Sequence, residues 1–207
     1  MMLIVAAMMD EVKDIIKDAK QEEGLYILDH PDTRLLLTGV GKVNAAAKLS
    51  AVLARTTVEV IINLGFAGAT PPYESGDVVL VKSATYHDFD LSLFGYQKGQ
   101  VPGCPSFYES DETWSLLALK NIPDLKTGTL YTGDVFMTNT RDEACLVDME
   151  GTSLFQTAYL FNVPMLVIKV VSDIIGSQDH LKHYQTFATQ DGAKALQAVY
   201  HHLCKGA

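Results

Sequence analysis

Short apolar runs rich in β-branched residues alternate along the chain with stretches whose apolar residues recur every three or four positions. These are the signatures of buried strands and of amphipathic helices. Leu3–Ala7 predicts a strand, and after it Val12, Ile15, Ile16 and Ala19 fall at i, i+3, i+4 and i+7 of a helix. Leu35–Thr38 predicts a second strand, from which Gly39-Val40-Gly41 turns the chain into an Ala-rich helix over roughly Val43–Arg55. Further strands are predicted at Val58–Asn63, Val78–Lys82, Thr129–Thr132, Cys145–Asp148 and Pro164–Val171. Asp111 is placed as the N-cap of a helix running through Leu119, Thr152–Phe161 forms another, and a terminal helix covers about His183–Leu203. Strands that are apolar along their whole length are buried on both faces and need helices to cover them. The pattern therefore predicts one α/β domain over residues 1–207, with three α/β/α layers around a mixed, largely parallel sheet.

The polar residues that interrupt this pattern sit at one kind of place. Glu11 follows the first strand, Gly65 to Gly68 the third, Gly133-Asp134 a later one, Glu150 the Cys145–Asp148 strand, and Ser172-Asp173 the last. In open α/β sheets, ligands bind beyond the carboxyl ends of the strands. Five such ends carrying acids or glycines predict one converging site, although any single acid there could be a helix cap.

Composition narrows what that site can serve. The 207 residues are 48% hydrophobic and 20% charged, with a formal net charge of −9. Nucleic-acid binding needs clustered positive surface, so that class is excluded. Thirteen Lys accompany only three Arg, at positions 34, 55 and 141. Cys104, Cys145 and Cys204 form no CxxC pair, so neither a structural zinc site nor a disulfide framework is supported. They read as reduced thiols of a cytoplasmic protein. The apolar start, Met2 to Met9, is too short to span a membrane and lacks a basic flank. No metal, cofactor or membrane partner is expected.

Several segments, in order, carry a resemblance: Ala7-Met8-Met9-Asp10-Glu11-Val12, Thr38-Gly39-Val40-Gly41-Lys42-Val43, Ile61-Ile62-Asn63-Leu64-Gly65-Phe66-Ala67-Gly68, Gly76-Asp77-Val78-Val79 and Tyr86-His87-Asp88. Phe94-Gly95-Tyr96 through Pro102-Gly103-Cys104-Pro105, Gly133-Asp134-Val135-Phe136, Asp148-Met149-Glu150-Gly151 and Ser172-Asp173 complete the set. Together they resemble the 5′-methylthioadenosine/S-adenosylhomocysteine nucleosidases of the nucleoside phosphorylase superfamily. The segment between the first helix and Leu35 is shorter than that family's usual hairpin.

The resemblance implies a purine-nucleoside ligand and specific roles. Asp173 would be the general acid that protonates the purine at N7, with Ser172 orienting its carboxyl. Glu11 would activate the attacking water and stabilise positive charge developing on the sugar. Glu150 would accept hydrogen bonds from the ribose 2′- and 3′-hydroxyls, and Met149 would pack against the sugar. Phe136 would stack on the purine while the Met137 backbone reads its edge, and Gly68 and Lys169 would complete the pocket. Leu91, Phe94 and Pro102 would cross a homodimer interface and line the partner's 5′-alkylthio pocket.

Three positions depart from the family's pattern. Lys169 stands where Arg is usual, keeping the charge without the bidentate fork. Asp148 replaces the usual Glu. Phe66 occupies a position commonly held by Ser, beside the water and ribose side, where it would bear on substrate choice. Phosphate as nucleophile generally needs Arg clamps or an anion nest, so the scarcity of Arg and the acid at Glu11 favour water. A phosphate-dependent phosphorylase, a hydrolase of futalosine-type nucleosides or plain adenosine, and a non-catalytic nucleoside-binding protein stand as the alternatives.

Overall fold

The computed structural model of the protein describes residues 1–139 and 143–205. Ten strands are described: β1 (Met2–Ala6), β2 (Lys20–Glu22), β3 (Leu25–Ile27), β4 (Thr33–Leu37), β5 (Val60–Ala69), β6 (Val78–Tyr86), β7 (Tyr108–Glu109), β8 (Lys126–Thr132), β9 (Leu146–Asp148) and β10 (Met165–Ile174). The described helices are α1 (Met9–Val12), α2 (Lys42–Leu53), α3 (Glu112–Asn121), α4 (Gly151–Phe161), α5 (His180–Gln190) and α6 (Gly192–Cys204). The strands run in the order β10-β6-β8-β9-β5-β1-β4-β3-β2, with β7 on β6. The sheet is mixed. Its long pairings, β10 with β5 and β6 with β8, are parallel, while antiparallel pairings such as β5 with β9 are short.

β5 also pairs with β10, so β5, β10, β6, β8 and β9 close into a ring. Successive β5 side chains point to opposite faces. Ile61, Ala67 and Ala69 join one core cluster with Leu49 of α2 and Phe155 of α4. Ile62, Leu64 and Phe66 join the other, with Val12 of α1 and Leu196 and Val199 of α6. This is the expected three-layer α/β/α arrangement. Asp111 caps α3 as predicted, its carboxylate accepting the Trp114 amide at 3.0 Å.

Three differences from the sequence reading bear on the layers and the site. The predicted helix over Val12–Ala19 is a single turn, α1, continued by separate turns in which Ile15 and Ile16 amides both reach Val12 O. Successive turns bury Val12 and Ile16 as a helix would, so spacing alone could not tell them apart. The terminal helix is broken at Asp191 into α5 and α6. Gly192 is needed just after the break, because a Cβ there would lie 2.3 Å from Phe66 Cζ. β5 and β10 run on past their predicted ends, through Gly65 to Ala69 and through Ser172-Asp173. Ladder pairing with each other holds these weak strand formers extended. The segment before Leu35 forms the β2–β3 hairpin, with Glu23-Gly24 at its turn.

Candidate active site

The chain leaves β1 and turns at once into α1, which puts Glu11 at the third helical position. From there its carboxylate reaches back over the helix start. Oε2 accepts the Ala7 and Met8 amides at 2.8 and 2.9 Å, and Oε1 accepts the Phe66 amide of β5 at 2.9 Å. Glu11 therefore fills a nest of three backbone donors and is 3% exposed. Burial pushes its carboxyl above the ordinary value, against the pull of the Lys169 charge and the three amides. Gly65 makes the arrangement possible, since a Cβ at that position would stand 2.8 Å from Glu11 Oε1.

Behind Glu11 lies a buried ion pair. Lys169 Nζ is 2.8 Å from Asp148 Oδ2, and both groups are almost fully removed from solvent. Asp148 is further held by the Thr132 hydroxyl at 2.6 Å and the Gly151 amide at 2.9 Å. Burial alone would lower the Lys169 pKa, but Asp148, Glu11 and Glu150 together raise it. The shorter acid and the shorter base thus meet in direct contact. Glu150 follows two residues later, at the N-cap of α4, with Oε1 accepting the Gly41 amide at 2.8 Å. Burial and then the Asp148 charge push its carboxyl up to about 7, against Lys169 and the Gly41 amide.

Asp173 stands across the cleft on β10. The ladder with β5 shifts register between Val171 and Asp173, so that Asp173 pairs with Gly68. Such a bulge re-aims a side chain. The Ser172 hydroxyl lies 2.6 Å from Asp173 Oδ1 and 3.2 Å from Ala67 O. A Cβ on Gly68 would come within 3.2 Å of Asp173 Oδ2. Ser172-Asp173 is therefore a strand feature here and not a helix cap.

These strand ends form the floor of a cavity of 210 Å³. Of the residues proposed from sequence, Glu11, Phe66, Gly68, Phe136, Met137, Met149, Glu150, Ser172 and Asp173 line it together. Lys169 does not reach the cavity wall and touches it only through its carboxylate partners. Phe66 contributes to the wall, but its ring packs edge-on against Phe187 at 5.5 Å and over Gly192. The aromatic at that position thus belongs largely to the contact between sheet and helices. Leu91, Phe94 and Pro102 lie outside the cavity lining. Arg34 and Arg55 donate to the carbonyls of Thr33 and Glu23, away from the site, and Arg141 falls outside the described residues.

Among the lining residues not proposed from sequence are Leu181 and Tyr184 of α5. Tyr184 packs edge-on to Phe136 at 6.0 Å, and its hydroxyl sits 3.7 Å from Met8 Sδ. Their signal was an aromatic and a leucine soon after Ser172-Asp173, where the chain must fold back over the strand ends. Among the described residues no cluster of His, Cys, Asp and Glu is arranged to hold a metal ion, and no helix is long and apolar enough to cross a membrane. The site therefore offers one carboxyl on a strand (Asp173), one in the first turn of α1 (Glu11), a third at the N-cap of α4 (Glu150), and one apolar wall. That set suits acid–base chemistry on a flat, mostly apolar ligand carrying a polar ring of hydroxyls.

Comparison with known proteins agrees with this geometry. A family model described as the phosphorylase superfamily matches residues 2–203. A 5′-methylthioadenosine/S-adenosylhomocysteine nucleosidase of Geobacillus sp. (strain WCH70) is 33% identical over 210 residues, covering 90% of each chain. The structure of a Streptococcus pneumoniae nucleosidase of that name, in complex with 8-aminoadenine, superposes with a TM-score of 0.89 at 27% identity. It covers 100% of this chain and 99% of its own. A Colwellia psychrerythraea 34H nucleosidase in complex with adenine gives a TM-score of 0.87 at 28% identity, over 99% of this chain and 94% of the other.

Proposed function

Because the chain belongs to the phosphorylase superfamily, and within it to the 5′-methylthioadenosine/S-adenosylhomocysteine nucleosidases, we propose that it hydrolyses those nucleosides to adenine and the 5-thio-ribose. In this reading Asp173 delivers a proton to purine N7 as the C1′–N9 bond breaks and its electron pair passes to the base. Ser172 orients the acid. A water held by Glu11 adds its oxygen to C1′ and leaves its proton on Glu11, whose charge also steadies the positive sugar in the transition state. Glu150 receives the 2′- and 3′-hydroxyls, Met149 packs below the sugar, Phe136 stacks on the base and the Met137 backbone reads its edge. Gly68 leaves room for the acid, and Lys169 acts through Glu11 and Asp148.

One observation carries the choice of water over phosphate. The three amides that converge between β1 and β5 form an anion nest, and Glu11 already fills it with its own two oxygens. An incoming phosphate would meet a buried carboxylate where it needs donors. The deciding measurement is release of free base from methylthioadenosine, S-adenosylhomocysteine, adenosine, inosine and futalosine, with and without phosphate. Adenine release from the two thio-nucleosides without phosphate is expected. Strict phosphate dependence with a ribose-1-phosphate product, or cleavage confined to futalosine, overturns the reading.

The same proposal extends to assembly and setting. Leu93 is 98% and Phe94 75% exposed on the segment between β6 and β7, an apolar surface that suits an isologous homodimer in which Leu91, Phe94 and Pro102 reach the partner's pocket. Residues 1–207 act as one domain. Cys104, Cys145 and Cys204, none of them in a disulfide, suit a reducing cytoplasm.

A further inference from the structure

Three segments conspicuous in the sequence have no part in the chemistry above: Gly41-Lys42, His87-Asp88 and Gly133-Asp134. The fold gathers them at the cleft rim, where the ends of β6 and β8 meet the start of α2. Lys42 Nζ donates to both oxygens of Asp88, at 2.8 and 2.7 Å. Asp88 Oδ2 also accepts the Asp134 amide at 2.9 Å. Asp134 Oδ1 in turn accepts the Lys42 amide at 2.9 Å, and its Oδ2 lies 3.7 Å from Lys42 Nζ. The contacts close on themselves across three segments. Lys42 and Asp88 are only about a fifth exposed, at 23% and 21%, and the ammonium stands 5.4 Å over the Tyr86 ring.

What this ring of contacts holds is the first turn of α2. That helix opens on Gly41, whose φ of 96° favours glycine and which has no side chain to satisfy the exposed amides. Carboxylates from elsewhere in the chain do so instead. Asp134 takes the Lys42 amide, and Glu150 Oε1 takes the Gly41 amide at 2.8 Å. The orientation of Glu150 therefore depends on where the α2 turn sits.

We infer that Lys42, Asp88 and Asp134 are positioning residues for the ribose clamp, fixing the α2 turn so that the Gly41 amide presents Glu150 to the sugar diol. The inference rests on the nucleosidase reading for the identity of the sugar. It is tested with Lys42→Met, Lys42→Arg and Asp88→Asn, each made alone and with Glu150→Ala, measuring methylthioadenosine turnover and, by calorimetry, nucleoside and adenine binding. Lys42→Met should raise KM about tenfold with a smaller change in kcat, the size expected of one charge-assisted hydrogen bond. Lys42→Arg should recover most of that loss. Adenine has no sugar, so its affinity should change less than about twofold, and the Lys42→Met penalty should vanish in the Glu150→Ala background. A penalty that persists in full without Glu150, or an equal loss of adenine affinity, overturns the inference. Should Lys42→Met fail to fold, Asp88→Asn reads the same cycle, since it removes the charge and keeps an acceptor. If wild-type protein cleaves no nucleoside, the nucleosidase reading fails, and the clasp is then judged on nucleoside binding alone. Wild-type turnover with an unimpaired Lys42→Met defeats the clasp alone.

Discussion

The floor and the outer wall of the cleft are built to different rules. On the floor, Glu11, Asp148, Glu150, Lys169 and Asp173 are each at most 7% exposed, and their polar atoms are fixed by amides, hydroxyls and one another. On the wall, Val135, Phe136 and Leu181 are 59%, 43% and 53% exposed, and they come from a loop and the first turn of α5. Groups that must meet developing charge gain from low dielectric and fixed geometry. Groups that grip a flat apolar ring need area and a way in. The contrast teaches that the buried carboxyls are gathered about the strand ends and the apolar surface is offered by an exposed loop and helix turn, which is the division that the proposed acid–base chemistry and base recognition require.

That division can be broken by mutation. Asp173→Asn and Glu11→Gln should each lower kcat by about a hundredfold or more, in the range lost with a general acid or base, while nucleoside binding changes little. Near-normal turnover in either variant would remove that residue from the chemistry. Gly65→Ala tests the floor without touching a polar group. Its Cβ would stand 2.8 Å from Glu11 Oε1, so the carboxylate must leave its nest, and kcat should fall by at least about tenfold for a displacement of that kind. On the wall, Phe136→Ala should act mainly on KM, by roughly tenfold for one lost aromatic stack. A kcat loss as deep as that of Asp173→Asn would erase the distinction between the two regions.

The smallest expected effect is on pH dependence. The Glu150 carboxyl is lifted from 4.5 to about 7, chiefly by burial and then by Asp148. Between those values the native protein holds a proton that the unfolded chain has released, so this group's contribution to stability is present below the lower value and is lost as pH rises through the upper one. Glu150→Gln should flatten the corresponding decline in Tm between pH 4.5 and 8. The ionised form accepts the ribose hydroxyls, so wild-type KM should fall as pH rises through 7, and an unchanged KM profile in Glu150→Gln would assign the titration to another group.

Much of this was legible in the chain. The layers and the sheet follow from period and turn chemistry, which are local properties; Glu11, Phe66, Gly68, Glu150, Ser172 and Asp173 stand where strands end, while Phe136, Met137 and Met149 came with the family resemblance. Leu181 and Tyr184 were missed because a leucine and an aromatic soon after Ser172-Asp173 are only a weak local signal, and their place depends on how α5 folds back over β10. The split of the last helix at Asp191 was missed for the same reason, since the need for Gly192 arises only from Phe66 on a distant strand. Lys169 and Asp148, each a departure from the family's pattern when taken singly, form one buried contact when seen together.

The closed ring of β5, β10, β6, β8 and β9 gives the molecule an uneven resistance to opening. Strands in a ring have no edge from which to fray, whereas β2, at the free end of the sheet, has all three residues exposed. Amide hydrogens of β5 and β10 should therefore exchange with solvent only through global unfolding, and those of the β2–β3 hairpin should exchange first. The register that sets Lys169 against Gly65 and Asp173 against Gly68 is thus among the last things the protein surrenders, whereas Glu11, on α1 beyond β1, belongs to the part of the molecule outside the ring.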